Sequence, residues 1–347
     1  MFKPKYSITN KINNDLTQIE RVRGFLDAIR LKENWIADIQ NHTLILESHY
    51  STHIEGTALS LEQAKDILEG IPVKGINIED RKELLNYKKA MNFISKYLGK
   101  DDPITEGLIR ELHKITVKDV RGNRSDPGNY RKVQNYIVNS RTREIIYTPP
   151  FPLEVPHLMK EFVEWLNRQK DISPVLVAGI AQFQFVHIHP FLDGNGRTAR
   201  LLSTFILYKT SYDFKRLFTI SEYYDKNRPA YYKAIQSVRQ NNMDMTEWLE
   251  YFVEGLQSQM VDIQEKGKRI ISVEKLVKEY MLNTRQWKII RYLVTNEHIT
   301  NEECQKLCGS IRRTATRDLL FLVEKGLIEK KGERKGTYYI FSTGIKI

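Results

Sequence analysis

Apolar residues recur at three- and four-residue spacing along most of this chain, and one turn-rich stretch interrupts them. That spacing limits the fold more than any other feature. It places the apolar side chains on one face of a helix and commits that face to a helix-packed core. The pattern runs from Asp15 to Gly56, where it stops. Thr57 to Gly70 reads as a capped helix, with Ser60 and Gln63 forming a capping box. Asp80 to Leu98 is another helix, and Pro103-Ile104-Thr105 opens the next. The interruption is Arg121 to Pro152, where Tyr130–Val138 and Glu144–Tyr147 read as a hairpin across "NSRTR". Helical spacing returns at Val155 and continues, with breaks, to Leu282. The last segment changes character. Three short helices (Asn283–Asn296, Thr300–Gly309, Ser310–Gly326) precede two strands around a basic, glycine-containing turn, the order of a winged helix-turn-helix. The expected fold is therefore mainly α, with a small β-hairpin and a C-terminal winged helix-turn-helix domain. The expected boundaries are 1–100 for an N-terminal helical region, 101–265 for a core with the hairpin, 266–282 for a linker helix and 283–347 for the winged helix.

No run of 18 apolar residues occurs, so no membrane partner is expected, and "MFKPKYSITNKINND" lacks the apolar centre of a signal peptide. The only cysteines, Cys304 and Cys308, have no further thiols to complete a zinc site and suit a reduced, cytoplasmic compartment. The formal net charge is +11, and the segment 283–347 holds 13 Lys+Arg against 7 Asp+Glu. More than half of the excess charge thus lies in the last 65 residues.

One stretch departs from ordinary helix grammar. "HPFLDGNGRTAR", His189 to Arg200, sets two glycines, an asparagine and two arginines before an apolar helix. Glycine weakens regular structure, and arginine at a helix N-terminus opposes the macrodipole. A bound anion compensates for both. Gly194-Asn195-Gly196 can turn successive N–H groups inward as an anion nest, and the following helix aims its free N–H groups at the same place. Arg197 and Arg200, three residues apart, share a helix face as guanidinium clamps. Asp193 is a lone hard carboxylate beside this cradle, the usual way to hold Mg²⁺ near phosphates. His189, with an ordinary pKa of about 6.5, is suited to act as a general base. The alternative is a tight interhelical turn with solvated arginines. His187-x-His189 with Asp193 could also be read as a metal triad, but residues two apart do not share a helix face, and a buried, hydrogen-bonded His187 fits better.

The same twelve residues resemble the Fic family motif, H-x-F-x-[D/E]-G-N-G-R-x-x-R. His189, Phe191, Asp193, Gly194, Asn195, Gly196, Arg197 and Arg200 match it without departure. The resemblance extends over about residues 10 to 255. It implies a helical Fic fold and a protein adenylyltransferase that moves AMP from ATP to a Ser, Thr or Tyr hydroxyl of a target protein, with Mg²⁺ and release of pyrophosphate. It implies His189 as the base and Asp193 as the metal ligand. The Gly194-Asn195-Gly196 backbone and the Asn195 side chain are implied on the α- and β-phosphates, and Arg197 and Arg200 on the β- and γ-phosphates. Thr198 belongs to the same nucleotide-binding set, and Phe191 is a core anchor. Ser51-x-x-x-Glu55-Gly56 resembles the family's inhibitory helix, which implies that Glu55 pairs with Arg200 and keeps ATP from its productive pose. In some relatives this glutamate also serves the reverse, de-AMPylating reaction.

The hairpin matches the position of the family's flap, which implies Asn135, Tyr136, Ile137 and Val138 near substrate; a purely structural hairpin is the alternative. Tyr231 and Tyr232 fall where relatives contact the base, although aromatic pairs on helices are often core. A homodimer is implied by the relatives. The winged helix, with Arg312, Arg313 and Arg317 on its recognition helix and Lys330, Lys331, Arg334 and Lys335 in its wing, suits docking to DNA or to protein. A DNA-binding regulator with a nucleotide-sensing core is the second functional reading.

Overall fold

The structure is a computed structural model and describes residues 1–29, 32–97, 102–120, 125–138, 142–212, 214–296 and 298–342. It is mainly helical, with a two-stranded and a three-stranded antiparallel sheet among the described residues. The chain forms two compact units, residues 1–24 with 43–260, and residues 25–42 with 261–347.

In the first unit, α1 (Asn10–Ala28) and α2 (Glu33–Ile54), whose residues 25–28 and 33–42 belong to the second unit, and α3 (Leu61–Leu68), α4 (Ile78–Tyr97) and α5 (Glu106–Val117) precede the hairpin β1 (Ile137–Val138) and β2 (Ile145–Tyr147). Then come α6 (Val155–Arg168), α7 (Pro174–Ile188), α8 (Asn195–Lys209), α9 (Ile220–Lys226), α10 (Arg228–Gln240) and α11 (Thr246–Tyr280). The Asp15–Gly56 pattern is thus two helices. The expected capping box is present on α3: Gln63 N–H donates to Ser60 Oγ and Ser60 N–H to Gln63 Oε1. Thr105 caps α5 by accepting from Leu108 N–H. Leu98, at the end of the expected fourth helix, lies outside the described residues.

The centre of this unit is α7, buried on nearly every side, as its all-round apolar sequence requires. It packs against α8, and α11 docks on it through Trp248, whose indole N–H donates to Gly179 O at 2.8 Å. Each fully buried Phe or Leu of this layer contributes about 1.5–3 kcal/mol. The hairpin is shorter than the sequence suggests, with pairing only at Ile137↔Tyr147 and Val138↔Ile145. Its upstream residues bond elsewhere: Arg131 N–H donates to Pro190 O at 2.9 Å. The "NSR" of its turn, residues 139–141, lies outside the described residues.

In the second unit, α12 (Thr284–Thr295), β3 (Ile299–Thr300), α13 (Asn301–Cys308) and α14 (Arg312–Glu324) lead to β4 (Ile328–Lys331) and β5 (Tyr338–Phe341), with strand order β3-β5-β4. Asn283 and Thr300 form capping boxes on α12 and α13, and Gly309 ends α13. Trp35 meets Trp287 edge-on at 5.2 Å. Burial pushes the Cys304 thiol up to about 12, which keeps it unreactive. The segment 266–282, expected as a separate linker helix, is mostly the second half of the continuous α11. A helix carries no break where its i→i−4 bonds run on, so the boundary between units falls at Met260/Val261 inside it.

Candidate active site

The loop between α7 and α8 is built around His189. Its backbone is left-handed (φ 52°, ψ 58°) and closes α7 with an N–H bond to Phe185 O. That conformation swings the imidazole out of the helix. Nδ1 lies 3.3 Å from Val186 O, and a proton on Nδ1 donating there leaves the Nε2 lone pair available. Burial holds the His189 pKa down at about 4; the Val186 bond opposes this and the Arg131 charge reinforces it. The ring is therefore neutral at physiological pH and able to take a proton.

The loop is fixed from three sides. Arg131 Nε donates to His189 O at 2.9 Å, and its guanidinium also meets Pro150 O. Asn195 clamps Phe191, accepting from its N–H at 3.0 Å and donating to its C=O at 2.8 Å. The Asn195 amide thus closes the loop. His113, on α5, stacks face to face on Phe191 at 3.6 Å. Its Nδ1 accepts from Gly128 N–H, so its Nε2–H donates to Asp193 O at 2.9 Å. Burial pushes His113 down to about 4, so this tautomer persists at neutral pH.

Gly194 is the N-cap of α8 with φ 77°, a conformation that disfavours side chains, and a Cβ there would also strike Val117. No side chain caps α8 and its first turn holds no acid, so the N–H groups of Asn195, Gly196 and Arg197 lack intrahelical acceptors. A carboxylate lies over that turn. A Cβ on Gly196 would collide with Glu55 Oε1. Glu55 directly follows α2, and its Oε1 accepts from Arg200 Nη2 at 2.8 Å. Arg200 is almost wholly buried and also donates to Ser51 Oγ and Ser51 O, each at 2.8 Å. Burial opposes its charge, but Glu55, Tyr231 and Tyr87 more than reverse that effect, so its pKa is raised. Ser51 and Glu55 share a face of α2 with Glu47, one turn further back. The Glu47 carboxylate is buried and accepts from Tyr87, Thr219 and Ser221, which anchors α2.

The two arginines of the motif diverge. Arg197 is 1% exposed and its Nη1 donates to Glu83 Oε2 on α4 at 2.7 Å, with Asp193 Oδ1 at 3.4 Å from Nη2. It joins α4 to α8 from within the core. Thr198 is buried as well, its hydroxyl donating to Gly194 O. Tyr231 is buried against Tyr224 at 4.4 Å, whereas Tyr232 is 48% exposed and its hydroxyl lies 3.5 Å from Ile54 O. In the hairpin, Tyr136 and Val138 are exposed, and Asn135 Nδ2 donates to Phe191 O at 3.1 Å, which ties it to the His189 loop. His187 is partly buried, with Tyr147 Oη 2.9 Å from its Nδ1. Among the described residues no three side chains cluster as a metal site.

Sequence reasoning missed His113, Glu83, Glu47, Arg131 and Arg239. Arg239 stacks on Tyr147 at 3.6 Å, with its Nε and Nη2 buried and unbonded. None of these five lies in the motif: His113 and Arg131 bond to the loop, Glu83 to Arg197, Glu47 anchors α2 from within it, and Arg239 packs on the hairpin. The one local signal was His113, a histidine on the apolar face of an amphipathic helix.

A helical bundle thus presents a neutral histidine beside an uncapped helix N-terminus, an arrangement suited to an anion. Residues 103–207 match the model of the Fic/DOC family. A protein adenylyltransferase Fic from Drosophila willistoni is 32% identical over 203 residues, which cover 57% of this chain and 38% of that protein. One from Culex quinquefasciatus is 32% identical over 202 residues, covering 56% and 38%. The chain thus spans less than half the length of these curated relatives. A Fic family protein from Desulfovibrio desulfuricans G20 shares the fold with a TM-score of 0.68 at 22% identity, over 99% of each chain. The likeness to the Fic/DOC family is thus carried by residues 103–207, within this helical core.

Proposed function

We propose that this chain transfers AMP from ATP to a Ser, Thr or Tyr hydroxyl of a target protein and is held inactive by Glu55. The observation that carries the reading is an internal carboxylate seated over the bare first turn of α8, next to a neutral imidazole. An anion site already filled by an anion of the same chain is what a self-blocked phosphate site requires.

In this reading the triphosphate takes the place of the Glu55 carboxylate over Asn195, Gly196 and Arg197. Arg200 changes partner from Glu55 to phosphate. Nε2 of His189 takes the proton of the target hydroxyl as its oxygen attacks the α-phosphorus. The bond to the bridging oxygen between α- and β-phosphate breaks, and pyrophosphate leaves. Asp193, partly exposed at the rim of the cradle, suits Mg²⁺ as a lone hard oxygen ligand, since that ion completes its shell with phosphate and water. Bound there, the ion would neutralise charge on the phosphates. Arg197 acts from below by fixing Asp193 and α8. The exposed edge at Tyr136–Val138 would align the target segment as an added strand, and Tyr232 would flank the base.

The test is labelling with ATP carrying the isotope at the α- or the γ-phosphate. Protein should take label from the α-labelled nucleotide alone. Glu55→Gly should raise incorporation, and His189→Ala in that background should lower it by about 10²–10⁴-fold. Incorporation from γ-labelled ATP would replace this reading with phosphate transfer.

A further inference from the structure

The second unit carries a surface that the transfer chemistry leaves unused. Arg312, Arg313 and Arg317 stand exposed on α14, and among the described residues none has an ion-pair partner. The helix's internal acid faces the other way. Asp318 is buried and accepts from Arg285 Nε at 2.6 Å and Gln286 Nε2 at 3.4 Å. Its terminal acid, Glu324, lies at the far end beside Lys325 at 3.9 Å. The outer face of α14 is therefore cationic over its first two turns, with no acid among its exposed residues there. An open groove of about 720 Å³ runs along it, lined by these arginines with Thr316, Leu320 and Phe321 and by Glu324 at the end of the helix, and Leu320 is 50% exposed. In the β4–β5 hairpin, Lys330 and Arg334 are exposed and have no ion pair among the described residues, while Lys331 is paired with Glu329 at 2.8 Å. The Lys335 side chain lies outside the described residues.

We infer that α14 docks in the major groove of duplex DNA, with the β4–β5 hairpin against the neighbouring phosphates. Charge complementarity selects the occupant. Unpaired guanidiniums without local acids repel one another, and a polyanion relieves that repulsion while releasing its counterions. A second copy of this chain fits poorly, because a two-fold contact would set the three arginines against themselves. The side-chain mixture also fits a groove floor. Guanidiniums bond guanine edges in pairs, and Thr316 and Leu320 offer methyl groups to thymine. A 13-residue helix is about 20 Å long and slender enough for that groove.

The full chain should be titrated against a fluorescein-labelled 20-bp random duplex, reading anisotropy. Saturable binding is expected in 50 mM salt, weakening about a hundredfold by 200 mM if about four phosphates are contacted. The triple variant Arg312→Ala/Arg313→Ala/Arg317→Ala should lose at least about tenfold in affinity with an unchanged circular dichroism spectrum. Lys330→Ala/Arg334→Ala should mainly flatten the salt dependence. No binding at 50 mM, or full affinity in the triple variant, would overturn the inference. So would equal affinity for polyglutamate of matched charge, which would make the face a site for acidic proteins. A dimer that Leu320→Glu dissociates would likewise overturn it in favour of self-association. None of these readouts depends on nucleotide transfer.

Discussion

The helices α8 and α14 begin alike: neither has a side-chain cap or an acid in its first turn, and both carry arginines there. Their surroundings differ. Over α8 the fold lays two carboxylates, Glu83 against Arg197 and Glu55 against Arg200, and both arginines are 1% exposed. Against the arginines of α14 it lays none among the described residues, and they face water. An uncapped basic helix start is thus an unfilled demand for anions. In α8 the chain itself meets that demand, once permanently through a buried glutamate and once through a carboxylate that remains 28% exposed. In α14 no carboxylate of the described residues meets it. A deeply buried pair is structural, whereas a carboxylate at the rim can give way to a ligand.

The sharpest way to break this comparison is to remove the permanent anion. Glu83→Ala leaves the Arg197 charge buried with only the longer Asp193 contact, and should destabilise the first unit by about 3 kcal/mol or more, read by urea denaturation. Arg313→Ala on α14 should leave the midpoint in place. Equal effects in both would dissolve the distinction.

Next in size is the releasable anion. Glu55→Gly should cost at most about 1 kcal/mol of stability, since the carboxylate is partly exposed. Each 1.4 kcal/mol of the Glu55–Arg200 pairing that ATP no longer displaces corresponds to about tenfold tighter nucleotide binding. Calorimetric titration with ATP would show no tightening if Glu55 does not occupy the nucleotide's place.

Acid should then separate the two helix starts. Burial holds His113 and His189 near pKa 4 in the folded chain, below the ordinary value of about 6.5. Between those values the unfolded chain binds the protons and the folded chain does not. The stability they contribute is complete above about pH 6.5 and is lost as pH falls to about 4. A denaturation midpoint that declines over this window, with a shallower decline in His113→Asn, is expected. Transfer activity of the Glu55→Gly variant should stay level from pH 8 down to about 5.5. An acid limb centred near 6.5 would mean that His189 is solvated when transfer takes place.

The smallest effect concerns salt. The buried Arg197–Glu83 pair should leave stability nearly constant between 50 and 200 mM salt, because burial shields it from screening.

Much of the architecture was legible in the sequence because its signals are local. The capping box at Ser60 and Gln63, the all-round apolar α7 and the three helices and last two strands of the C-terminal segment all follow from neighbours within a few residues; the two-residue β3, defined by its pairing with β5, does not. The strands of the hairpin came out short because Arg131 and Asn135 bond to the His189–Phe191 loop, a partner more than fifty residues away. Arg197 reads as a phosphate clamp by its place in the motif, yet Glu83, 114 residues away, draws it into the core.

By itself the sequence determined which chemistry the chain could house: a histidine just ahead of an arginine-bearing helix start, and glycines that let an anion approach. These are properties of single residues and short spacings, so linear order states them. Which anions fill each helix start, which histidines stay neutral and which arginine stays available were decided only by the tertiary structure. Burial and ion pairing depend on what the fold brings alongside, and in this chain the deciding partners lie from about eighty to 145 residues away along the sequence.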